Sequence, residues 1–114
     1  MLGSTFIAEN DSSRLTEITS AEDLSGFATL ELDAMITLDF EMLANEAGVR
    51  WAESEPVHFD EEGGRALFKV NETGLLYVLG RATKLTEVQK SDLSKLAAFV
   101  RAHGSSHIYE LAVF

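Results

Sequence analysis

Cysteine is absent from this sequence, which excludes disulfide staples and thiolate metal ligands and leaves packing alone to hold a fold together. Proline occurs once, at Pro56. No apolar run approaches the roughly 20 residues that span a bilayer. The opening Met1-Leu2-Gly3-Ser4-Thr5-Phe6 has neither the basic nor the long apolar segment of a secretory leader. The expectation is a cytoplasmic protein with no membrane contact. Bases are scarce too: 9 Lys and Arg against 19 Asp and Glu give a net charge of −10. Nucleic-acid phosphates would be repelled by such a chain, so direct nucleic-acid binding is not expected. There is no Gly-x-Ser-x-Gly elbow and no glycine-rich phosphate loop, so nothing marks an enzyme and no cofactor is implied.

What is present suits a small globule. Hydrophobic residues make up 46% and charged residues 25% of 114 positions, which argues against global disorder. A chain this long buries about two-thirds of its surface on folding, enough for one core in one domain over residues 1–114. The charge is polarised. Residues 1–62 hold 15 acids and only Arg14 and Arg50 as bases, a net of −13, whereas residues 63–114 carry a net of +3.

The second half reads most clearly. Arg65–Val70 and Leu75–Leu79 have strand composition, with Asn71-Glu72-Thr73-Gly74 between them as a turn. With Val57-His58-Phe59 ahead of the acidic Asp60-Glu61-Glu62-Gly63-Gly64 turn, they predict a three-strand antiparallel meander over about 56–82. Thr86 is placed to cap a helix reaching His103, with Leu93, Leu96, Ala97 and Val100 on its apolar stripe and Gly104 as its stop. His107–Phe114 reads as a last strand. Leu67, Phe68, Leu76, Val78, Leu96 and Val100 are the expected core.

The first half is less consistent. Ser4–Glu9 and Arg14–Thr19 are candidates for a hairpin, and Ser20 with Asp23 resembles a capping box. Every even position from Leu30 to Ala44 is apolar, which is strand alternation. Leu32, Ile36, Phe40, Leu43 and Ala47 also form a helical stripe ending at Gly48. The two patterns reconcile as a strand to about residue 35 followed by a helix from Thr37 to Ala47. The predicted fold is α+β: an antiparallel sheet of about five strands, including the meander, with helices packed mainly on one face.

Several motifs resolve to plain structure. Thr37–Val49 has the outline of the first helix of a helix-turn-helix, but Glu53, Glu55 and Pro56 fall where a recognition helix would run. His103 and His107 are four apart but separated by Gly104-Ser105-Ser106, so they do not share a helix face, and no metal site is expected. Asp60-Glu61-Glu62 lacks the ligand spacing of a calcium loop. Glu53 and Glu55 fit a solvated loop better than a catalytic acid pair.

The order helix, three-strand meander, helix is similar to roadblock and longin-type domains. Val57–Leu79, with the overall acidity, resembles the small acidic chaperones of bacterial secretion systems. The first resemblance implies a fold without a function. The second, with the charge, implies a non-catalytic module that docks on a basic protein partner, as a toxin-neutralising inhibitor or chaperone-like adaptor would. Glu31, Asp33, Asp39, Glu41, Asp60, Glu61 and Glu62 are the candidate partner-binding residues. The alternatives are a small enzyme or ligand-binding domain with a pocket between sheet and helix, and a structural homo-oligomer, for instance a homodimer.

Overall fold

A computed structural model describes residues 3–17, 24, 26–60, 62 and 64–113. Five strands, β1 (Gly3–Ala8), β2 (Ala28–Asp33), β3 (His58–Asp60), β4 (Arg65–Lys69) and β5 (Ile108–Val113), form one open antiparallel sheet in the order β2-β1-β5-β4-β3. Among the described residues three α-helices, α1 (Ala34–Glu46), α2 (Glu72–Leu79) and α3 (Glu87–His103), accompany the sheet in an α+β fold. All three contribute to a single core on one face of the sheet, where Phe40, Ala44, Leu75, Val78, Leu93, Leu96 and Val100 meet Phe6, Leu32, Val70 and Ile108. The other face carries a smaller cluster, Ile7, Leu67 and Tyr109 under Leu15, Leu24 and Phe27 from the β1–β2 connection.

The strand-to-helix compromise over residues 28–47 holds, with the strand ending two residues and the helix starting three residues earlier than expected. Asp33 ends β2 and caps α1, its carboxylate accepting from Met35 N at 2.9 Å and Ile36 N at 3.2 Å. This satisfies two of the orphan donors of the first helical turn. Gly48, at φ +76°, follows the helix, in a conformation that glycine adopts without strain. The expected α3 is present in full. Thr86 and Gln89 form a reciprocal capping box, and Gly104 ends the helix at φ +94°.

Two expectations are corrected. Leu75–Leu79 is not the third strand of a meander but the body of α2, so the likeness to a helix–meander–helix order lapses with it. The Asn71 side chain accepts from Thr73 N at 3.1 Å, making Asn71 an N-cap where a turn was expected. Leu75 and Val78 then fall on one buried face at helical spacing, while Leu76, expected in the core, is 50% exposed. The place beside β4 is taken by β5, and of the expected meander β3–β4 remains as a local hairpin around the acidic turn. The second correction concerns Arg14–Thr19. Ser12–Glu17 is a 3₁₀ helix, and β1 pairs instead with β2 and β5. Asp11 starts the 3₁₀ helix by accepting from both Ser13 N and Ser13 Oγ, an Asx-type turn that competes with strand pairing. Ile18, Thr19, the Ser20–Asp23 capping box and Phe114 lie outside the described residues.

Between α1 and β3 the chain crosses from the helix-covered side of the sheet to its edge and runs beside β4, on the side that β3 takes further along. Trp51 O accepts from Asn71 N, Ala52 bridges Val70, Glu53 N donates to Lys69 O and Val57 N donates to Leu67 O. Gly74 makes this crossing possible, since a Cβ there would sit 2.2 Å from Arg50 O. The crossing also places Trp51, fully buried, edge-on against Phe6 at 6.4 Å between ring centroids.

Candidate functional site

Helix α1 presents two unlike faces. At about 100° per residue, Thr37, Phe40 and Ala44 share the buried side. Met35, Leu38 and Met42 fall within roughly 60° of one another on the opposite side and are 64%, 44% and 50% exposed. Exposed Asp39 and Glu46 line one margin of this apolar stripe, Glu41 borders the other, and α1 contains no base. Along the Asp39 margin a shallow groove includes Leu43, Lys84, Leu85 and Gln89, and Gln89 Nε2 donates to Asp39 Oδ2 at 2.9 Å.

The other margin opens into a cleft of about 410 Å³. Glu41 and Asn45 of α1, the Arg50–Ser54 crossing, and Phe68, Glu110 and Ala112 of the sheet line it. Glu110 lies on the central strand opposite Phe6 on β1 and Phe68 on β4. Burial among these groups, reinforced by the charge of Glu41, pushes its carboxyl up to about 7, against the opposing pull of Ser4 and Trp51. Ser4 Oγ donates to Glu110 Oε1 at 3.2 Å. The Trp51 indole N–H faces the same carboxyl but falls short of hydrogen-bond geometry, and this buried donor has no partner among the described residues. A perturbed carboxyl in a cleft, beside an orphaned donor, is the kind of arrangement found at binding and catalytic sites.

The sequence-predicted residues do not form one patch. Asp33, Asp39 and Glu41 belong to α1 or its cap, whereas exposed Glu31 lies on β2 at one sheet edge. Asp60 ends β3 at the other edge and exposed Glu62 follows in the turn, roughly 19 Å away across four strand spacings. Glu61 lies outside the described residues. Glu53 and Glu55 are exposed in irregular chain. His103 packs against Phe99 with the two rings tilted by 56°, and lines a recess of about 220 Å³ with His107, Ala8, Glu9 and Asn10. Among the described residues no three His, Asp or Glu side chains gather as a metal site, and no helix is long and apolar enough to cross a membrane.

Glu110 escaped the sequence reading although a signal was there. Ile108, Glu110 and Ala112 alternate along β5, so the strand that buries Ile108 must turn Glu110 inward as well. No protein-family model, no curated protein and no solved structure matches the chain.

Proposed function

We propose that the chain is a non-catalytic protein-binding module whose outer α1 face docks a basic, amphipathic segment of a partner protein. The observation that carries this reading is the exposed stripe of Met35, Leu38 and Met42 between carboxylates, on a helix without a base. Flexible thioethers adapt to varied apolar surfaces, and a helix laid on such a stripe would match its apolar side to the methionines and its basic side to the acids. Glu31, Asp33, Asp60, Glu61 and Glu62 add to the field that draws a basic partner in, without belonging to the contact itself.

A synthetic amphipathic helix of leucine and lysine serves as the probe. Replacing Leu38 and Met42 together by alanine should weaken its binding at least about tenfold, mainly through faster dissociation. Asp39→Asn and Glu46→Gln should slow association at low salt and flatten its salt dependence. Equal affinity and equal on-rates in all these variants would refute the α1 face. Concentration-dependent self-association abolished by the Leu38 and Met42 changes would instead make a second copy the partner. The cleft beside Glu110 favours a second reading, a ligand-binding domain with its pocket between sheet and helix.

A further inference from the structure

We propose that the cleft between α1, the Arg50–Ser54 crossing and strands β4 and β5 binds an alkyl cation, an ammonium or guanidinium group on an apolar stem. Two separate elements bring carboxylates to it: α1 supplies Glu41 and β5 Glu110, while Glu53 of the crossing lines it with its charge acting on Lys69. Among the described residues that line it, Arg50 is the single cation and Phe68 from β4 brings no charge; Ser4, which reaches Glu110 from β1, brings none either. Phe68, Ala52 and Ala112 give the walls an apolar component suited to a hydrocarbon stem or to the face of a guanidinium.

The orphaned Trp51 N–H is the independent observation. An indole donor buried without an acceptor is costly. It faces a carboxyl that burial and Glu41 keep from ionising readily, so its natural acceptor is weakened. A positive group entering the cleft offsets Glu41 and ionises Glu110. The carboxylate then accepts more strongly from both Ser4 Oγ and Trp51 Nε1. One ligand charge therefore relieves both deficits, and binding near neutral pH releases a proton from Glu110.

Such a cation could be a free small molecule or a lysine or arginine side chain of a docked protein, and the two sources are separable. The probes are n-butylammonium and n-butylguanidinium, with n-butanol and butyrate as controls of like size. Trp51 is the only tryptophan, so its indole N–H resonance reports the site without ambiguity. Both cations should shift that resonance saturably, more tightly at pH 8 than at pH 6, with calorimetric proton release at pH 7. Glu110→Gln should weaken binding at least about tenfold. Glu41→Gln, at a partly buried helix position, should also weaken it and keeps the test decisive if the first variant disturbs the core. A leucine–lysine peptide that displaces butylammonium assigns the cation to a partner side chain, and one that binds without displacing it assigns a free ligand. Equal shifts from n-butanol, or no saturable shift from either cation, would overturn the proposal. Because the readout is Trp51, that result would leave the α1 face untouched.

Discussion

Glu9 and Glu110 are both withdrawn from solvent at the sheet, and the protein treats them in opposite ways. Glu9, just past β1, accepts from Asn10 N at 2.9 Å and Asp11 N at 3.2 Å and is paired with Arg14, whose guanidinium also lies over the Phe27 ring. Its backbone N–H donates to His107 O. Both carboxylate oxygens thus help to hold the β1–β2 connection over the smaller core. Glu110 has Ser4, an indole N–H short of hydrogen-bond geometry and the like charge of Glu41. Burial alone does not mark a functional acid; the marker is burial without a counter-charge.

Trp51 is the wall shared by the cleft and the main core. Trp51→Ala should cost about 3–5 kcal/mol in denaturant unfolding, the range for truncating a large buried aromatic. A smaller cost would mean that the crossing segment contributes little to the core.

Next in size is Glu110→Gln. With its carboxyl raised from 4.5 to about 7, the folded state keeps a proton that the unfolded chain releases. The stabilisation from this group is fully present below pH 4.5 and is lost as pH rises through 7, by roughly 3 kcal/mol in all. The glutamine variant should be the more stable protein at pH 8, with a flatter dependence of stability on pH between 4.5 and 8. A matching slope in variant and parent would place the titration elsewhere.

Arg14→Met sharpens the other side. It leaves Glu9 buried without its counter-ion, but Arg14 is half exposed and two backbone donors remain. A loss of about 1–2 kcal/mol is therefore expected, below the range for a fully buried pair. Thermal unfolding at low and high salt measures it. The smallest effect belongs to Met42→Ala, whose side chain is half exposed. Its stability should stay within about 0.5 kcal/mol of the parent. A large loss there would mean that the stripe packs within the molecule and is not free to dock.

How much of this was legible depended on whether local pattern and tertiary demand agreed. Around α3 they agreed: Thr86 and Gln89, the Leu93–Leu96–Val100 stripe and Gly104 each say helix, and each does what it says. At 28–46 two periods competed, and Asp33, a capping residue between apolar neighbours, marks where one gives way to the other. Leu75–Leu79 misled because five consecutive apolar residues carry no period. The distinguishing sign was Asn71, read as a turn residue although it is equally a helix cap. The acids were visible in number but not in place, since the fold sends Glu31 and Asp60 to opposite edges. The α1 stripe was hidden within the even-numbered alternation, which has Met42 and Phe40 alike pointing inward when only Phe40 does.

The position of β5 at the middle of the sheet has a kinetic consequence. Without it, β1–β2 and β3–β4 are two separate antiparallel pairs, each offering an unpaired edge to the gap between them. The contacts that join β5 to β1 span most of the chain, as Ser4 and Glu110 do across 106 positions. Closing so long a loop costs entropy before any ladder bond offsets it, which makes the docking of β5 the slow event of folding. Until it happens, the facing edges of both pairs remain open templates for strands of other molecules. A β5 segment added in trans would compete for the same gap, so refolding yield should fall with chain concentration and depend on how quickly the chain's own β5 arrives.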